Sequence, residues 1–287
     1  MNIKVLILSA VALTCIGCWS MGADSNAAAA NDTPMTETDA TKGDFYKSLP
    51  KDFEMPTADA GKLLLREYGA VFVARGGVTP PKKVVFRDEA DVRAYQATLE
   101  MATAKIGGTN VYLQEAAMTA LKAAIAEASL NKLSISPRGG TASRRGYDET
   151  VTLWASRVNP GFTYWVGKGR VKQAEATRIK SLSPFEQVPE ILRLEQDGIF
   201  FAKSLDKSII YSVAPPGTSQ HISMLALDVA EFDNARVRSI LAQHGWFQTV
   251  ASDLPHFTYI GVQESELSHL GLKQITNSGR TFWVPAI

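Results

Sequence analysis

Two histidines and an aspartate, His221, Asp228 and His256, constrain the folding of this chain more than any other feature. His221 follows the turn Pro215-Pro-Gly217 and precedes a strand-like run, Leu225-Ala-Leu-Asp-Val229, that contains Asp228. His256 closes Asp253-Leu-Pro-His256 and opens a second run, Phe257-Thr-Tyr-Ile-Gly-Val262. If these runs pair, facing residues meet across the ladder, and two imidazoles and one carboxylate converge on one sheet face. Such a trio can hold a zinc ion tetrahedrally and leave its fourth position open for water. A lone His, or a lone Asp beside a strand, is more often structural, so spacing alone leaves both readings open.

The rest of the chain bounds what can surround this trio. Its 287 residues are 45% hydrophobic and 21% charged, with a formal net charge of +1, as expected of a globular protein with room for a main domain and a smaller lobe. Near-neutral balance, with no basic stripe, gives no support for a nucleic-acid partner. The two cysteines, Cys15 and Cys18, both lie near the start, so the body has no intramolecular disulfide and any zinc there must use His and carboxylate ligands.

Lys4 and the apolar run over 5–16 read as an export signal, too short to span a bilayer comfortably. Its end, Cys15-Ile-Gly-Cys18, resembles a bacterial lipobox, which implies a signal peptide over 1–18 and a lipid on Cys18. Ordinary cleavage near Gly22 or Ala23 is the alternative. Residues 19–52 read as a polar, disordered tether, with order beginning near Phe53. The expected product is an exported cell-envelope protein, lipid-anchored and facing the periplasm or cell wall.

Two units are predicted beyond the tether: an N-terminal α/β lobe over 53–109 and a main domain over 110–287. Within the first, Thr57 caps a helix to Leu65, residues 70–74 and 83–86 form strands, and Asp88 starts a helix toward Met101. Within the second, helices are expected over 113–128, 147–158, 185–196 and 234–243, and strands over 133–136, 209–213, 225–229, 246–250 and 257–262. Asn159-Pro-Gly161 reads as a helix stop. Strands and helices without regular alternation predict α+β, a small antiparallel sheet with flanking helices.

Three segments carry a resemblance. Ser219-Gln-His-Ile-Ser-Met-Leu-Ala-Leu-Asp228 is similar to the Ser-x-His-x-x-Gly-x-Ala-x-Asp segment of zinc D-Ala-D-Ala carboxypeptidases, VanY-like members of the lysostaphin/D-Ala-D-Ala/hedgehog superfamily. Asp253-Leu-Pro-His256 resembles that family's Glu-x-x-His segment. Arg145-Gly-Tyr-Asp-Glu-Thr-Val-Thr-Leu-Trp154 resembles its Arg-Ser-Tyr-x-x-Gln-x-x-Leu-Phe segment. The resemblance covers roughly residues 110–265. Met224 stands where the family has Gly, Asp253 is one methylene shorter than the family's Glu, and Thr150 replaces its Gln.

The resemblance implies zinc ligation by His221, Asp228 and His256, a catalytic Asp253, and an Arg145 that binds substrate carboxylate or steadies an oxyanion. Arg138 is an alternative anion-binding arginine, and Ser219 either binds substrate or fixes its loop. The implied activity is hydrolysis of peptidoglycan stem peptides, with a D-Ala-D-Ala carboxypeptidase foremost. An L,D-carboxypeptidase or endopeptidase, or a non-catalytic peptidoglycan-binding module with the same fold, are the alternatives. His244 is expected to be structural, His269 a surface residue, and Glu231 and Asp233 caps of the following helix.

Overall fold

The computed structural model describes residues 44–287. The predicted leader, Cys18 and most of the tether lie outside the described residues. Order begins earlier than the sequence suggests. A short helix α1, Phe45–Ser48, is capped by the Asp44 carboxylate, which accepts from the Tyr46 amide. Phe45 is 2% exposed and packs against Gly271, whose φ of +74° is left-handed. A Cβ on Gly271 would lie 2.2 Å from the Phe45 nitrogen, so the close approach requires glycine. The tether expected over 19–52 is therefore corrected from Asp44 onward. A lone Phe-Tyr pair among polar residues has no periodicity to announce which ring is buried.

Helix α2, Asp59–Tyr68, buries Leu64, Leu65 and Tyr68, and Ala58 rather than Thr57 occupies its N-cap. A 3-10 turn, Gly69–Val73, replaces the strand expected over 70–74, and all five of its residues are buried. A run that is apolar on every side does not distinguish strand from helix. Residues 83–86 are also not a strand; Lys83 makes only an isolated bridge to Glu54. Helix α3, Glu89–Gln96, starts as predicted, with the Asp88 carboxylate accepting from the Asp91 amide.

The hairpin β1, Met101–Ile106, and β2, Thr109–Gln114, turns at Gly107-Gly108. Two glycines between alternating segments suit a tight hairpin turn. Helix α4, Glu115–Leu130, begins only after Leu113, which belongs to β2. This hairpin crosses the boundary drawn between the two expected units. Val73, Val111 and Leu113 share one core with Leu227 and Phe257, and the described residues fall within one compact unit. A separate N-terminal α/β lobe over 53–109 is thus not what forms.

Helix α5, Tyr147–Gly167, runs through the expected stop, with Pro160 inside it. Trp154, Val158 and Phe162 continue one buried stripe across the proline, and Pro160 itself faces solvent. Core packing on that stripe outweighs the lost amide donor. The Gly146 amide donates to Glu149 and the Tyr147 amide to Glu89, which satisfies two free donors at the start of α5. Helices α6, Gln173–Lys180, and α7, Pro184–Gln196, follow, with Ser183 capping α7. The Glu195 carboxylate accepts from the amides of Phe201 and Ile209 and from the Ser208 hydroxyl. It thereby pins residues 199–209, and Ile209–Tyr211 is a 3-10 turn, not a strand.

Strands β3, Ala226–Asp228, β4, Trp246–Phe247, and β5, His256–Tyr259, form an antiparallel sheet in the order β3-β5-β4. Between β3 and β4, helix α8, Ala235–Gln243, is capped by Asn234. Glu231 and Asp233 do not cap it: Glu231 accepts from the Ser136 amide and hydroxyl, and Asp233 pairs with Arg280. The strand expected over 133–136 is reduced to a Pro137–Val229 bridge beside β3. A second hairpin, β6, Leu272–Asn277, and β7, Arg280–Pro285, ends the chain. Helices with small antiparallel sheets make the described protein α+β. Among the described residues no helix is long and apolar enough to cross a membrane.

Phe45 tests where the folded unit begins. Phe45→Ala is expected to lower unfolding free energy by about 3–5 kcal/mol, as for a buried aromatic. Denaturant titration checks this; a change within about 0.5 kcal/mol would return residue 45 to the tether.

Candidate functional site

The pairing of β3 with β5 places Asp228 directly opposite His256. His221 arrives from the 3-10 turn Gln220–Ser223, just ahead of β3. Asp228 Oδ1 lies 3.3 Å from His221 Nε2 and 3.2 Å from His256 Nδ1. The two imidazole rings meet edge to face with centroids 4.8 Å apart. One potential ligand atom from each of the three residues lies within 4.8 Å of the others, so the group can hold a metal ion.

Hydrogen bonding decides which His256 nitrogen is free. The Gln220 amide nitrogen donates to the Tyr68 carbonyl at 2.8 Å. A carbonyl has no proton to give, so this bond fixes which end of the Gln220 amide is which. Gln220 Oε1 therefore faces His256 Nε2 at 2.9 Å, and that nitrogen must donate. With its single proton on Nε2, the imidazole turns the Nδ1 lone pair toward Asp228 Oδ1. Two acceptors at this separation repel unless a cation lies between them, either a proton or a metal ion. Thr258 also donates to Gln220 Oε1, and Thr258 in turn contacts Thr249 at 2.6 Å. This supports the imidazole from behind, the arrangement that surrounding hydrogen bonds take in metal sites.

His221 is 1% exposed, and neither of its ring nitrogens has a hydrogen-bond partner. Its Nε2 is near Asp228 Oδ1 but not aligned for a hydrogen bond. Burial pushes the His221 imidazole down to about 4, against the pull of Asp228, so it is neutral at pH 7. Burial works against ionising Asp228, but the adjacent His221 and His256 imidazoles hold its carboxyl well below the usual carboxylate range. Arg145 adds a guanidinium 3.4 Å from Asp228 Oδ2. A buried carboxylate and two imidazoles, each with a ring nitrogen close to it, form a donor set suited to a divalent ion.

A cleft of about 230 Å³ opens beside this group. Arg145, Ser219, His221, Asp253 and His256 all line it. Arg145 Nη1 donates to Ser219 Oγ at 3.4 Å. Asp253 presents its side chain to the cleft, yet crowding by the surrounding protein pushes its carboxyl above the usual range, reinforced by Asp228 and opposed by His256. Arg138 does not line the cleft. Its guanidinium stacks over Phe232 at 5.2 Å, while its backbone amide donates to the Asp228 carbonyl. His244 meets Glu127 at 2.8 Å and does not line the cleft, and His269 is exposed.

Three features were not found from sequence. Gln220 is an unremarked letter between Ser219 and His221, and its role depends on Tyr68, distant in sequence. Tyr68 itself lines the cleft, so the N-terminal residues help to build the site. Arg157 lines the cleft from α5; its spacing from Thr150 and Leu153 on one helix face was the signal available. Met224, which stands where the resembled family has Gly, is fully buried and does not line the cleft. Comparison of the chain with family models, curated proteins and solved structures returned no match.

Two outcomes follow from this geometry. Gln220→Leu removes the acceptor that orients His256 and should weaken metal binding about 10–100-fold; competition against a chromophoric chelator measures it, and unchanged affinity would deny Gln220 that role. The second concerns pH. Between the ordinary value of 6.5 and about 4, the unfolded chain takes up a proton that folded His221 refuses. In chelator, stability should therefore fall as pH drops through that window, with a limiting slope of about 1.4 kcal/mol per pH unit. Denaturation midpoints should decline less steeply for His221→Asn; identical profiles would show that His221 does not titrate this way.

Proposed function

We propose that this protein is a zinc-dependent peptidase that hydrolyses peptidoglycan stem peptides, foremost as a D-Ala-D-Ala carboxypeptidase. The observation that carries the reading is the convergence of His221, Asp228 and His256 beside a cleft lined by both histidines, Asp253 and Arg145. Three protein ligands of the His-Asp-His type suit zinc and leave one position open. A zinc ion bound there would polarise a scissile carbonyl and acidify a bound water.

The chain's own residues supply the remainder. Asp253, with its raised carboxyl, is matched to take a proton from water and return it to the leaving amine. Arg145 provides a planar fork for a substrate's terminal carboxylate. Further support comes from Met224, which takes φ 54° and ψ 31°. That left-handed conformation belongs naturally to glycine, the residue at this position in the segment that Ser219–Asp228 resembles. The exported, lipid-anchored location read from the leader would place such an enzyme beside its polymer.

Elemental analysis and turnover test the reading together. Purified protein should carry about one zinc per chain, and chelation should abolish release of D-alanine from a stem pentapeptide, with recovery on adding zinc. His221→Ala should lose the metal. Asp253→Asn should keep zinc and fold while turnover falls by roughly 10²- to 10⁴-fold. The backbone of Asp253 also accepts from the His256 amide, so a purely structural role in the turn is the competing assignment. Wild-type turnover in Asp253→Asn would favour that role. Absence of turnover on any muropeptide by the zinc-loaded wild type would overturn the peptidase reading in favour of a binding module.

A further inference from the structure

Helix α5 brings a second guanidinium to the same cleft. Thr150, Leu153 and Arg157 recur at helical spacing and all line it. Arg157 is half-buried, and its fork is held in place by neutral groups only. Its Nε donates to Ser212 Oγ at 3.0 Å and its Nη1 to Ser156 Oγ at 2.9 Å. Neither bond engages Nη2, and among the described residues no carboxylate pairs with Arg157. By contrast, Arg178 and Arg193, both about half exposed, pair with Glu190 and Glu175. A half-buried cation that is positioned but not neutralised is prepared for an anion from outside the chain.

The span between the two cations limits the ligand. From Tyr147, two residues past Arg145, to Arg157 is roughly 15 Å of helix axis. Leu153 and Tyr211 also line the cleft and are 36% and 38% exposed. The cleft therefore offers a cation near the His-Asp-His group, apolar wall, and a second cation. Roughly 15 Å corresponds to about three to five residues of extended peptide, less what the arginine side chains cover.

We propose that Arg157 is a specificity-determining residue that binds a second free carboxylate, about three residues before the C-terminal carboxylate of a peptide held at Arg145. This rests on the reading of the cleft as a peptide site, though not on hydrolysis. The test uses two D-Ala-D-Ala-terminated pentapeptides with D-glutamate or uncharged D-glutamine at the second position, titrated calorimetrically into zinc-loaded protein. Wild type should bind the D-glutamate peptide about 10-fold or more tightly, the size of a charge-assisted hydrogen-bonded contact. Arg157→Gln should bring the ratio close to one while leaving the D-glutamine peptide's affinity unchanged.

Arg157→Lys keeps charge but loses the fork, and should retain only part of the preference. It also serves if the glutamine variant fails to fold, as judged by near-ultraviolet circular dichroism. Equal binding of both peptides by wild type, or a preference that survives Arg157→Gln, would overturn the proposal. Binding of neither peptide by wild type would overturn it too, along with the peptide-site reading. A preference that depends on Arg157 without any hydrolysis would uphold the subsite and overturn the peptidase reading alone.

Discussion

Taking the Asp228 carboxylate out of water carries a penalty of several kcal/mol unless the surroundings replace its hydration. Here Arg145 faces one carboxylate oxygen, the other lies beside ring nitrogens of His221 and His256 where a proton or metal ion would bridge them, and each partner is delivered by a different part of the chain. Arg145 comes from the segment before α5, His221 from a 3-10 turn, and His256 from the strand opposite Asp228. The arrangement requires the β3–β5 register, because a one-residue slip would turn Asp228 and His256 to opposite faces. The small sheet therefore serves chiefly to hold one carboxylate among its partners.

A second tier of contacts makes that arrangement rigid. Gln220 is oriented by the Tyr68 carbonyl and by threonines of the sheet, and it leaves His256 with one possible donor. Glu195 pins Phe201 and Ile209, just ahead of the residues Ile210 to Ala214 that line the cleft. Gly217, just ahead of His221, packs its backbone directly on Phe86. Its φ is +74°, and a Cβ there would lie 1.9 Å from the Phe86 carbonyl oxygen. The site is thus assembled from residues spread over most of the described chain, including the segment once expected to form a separate lobe.

Local chemistry made part of this legible in advance. Asp88 and Asn234 announce helices because short polar side chains satisfy free amides at helix starts. The runs around Asp228 and His256 alternate or carry β-branched and aromatic residues, and their pairing follows from the same pattern. Segments that misled the reading share a physical cause. Residues 70–74 are apolar on all sides, so burial erased the periodicity that separates strand from helix. Pro160 looks like a stop, but the buried stripe of Trp154, Val158 and Phe162 carries α5 past it. Phe45 seems isolated until the distant Gly271 offers it a seat.

The sequence by itself determined the donor set: two imidazoles and a carboxylate, in segments whose pattern favours strand pairing, with no cysteine in the body to compete. It also determined the α+β character, since element types follow from local periodicity and capping. Only the tertiary structure decided which nitrogen of His256 is free, that His221 is neutral, and that Asp253, Arg145 and Arg157 share one cleft while Arg138 does not line it. Those properties depend on burial and on contacts between residues far apart in the chain. Neither desolvation nor a long-range hydrogen bond has a local signature, because each is set by what folds over a residue and not by what adjoins it.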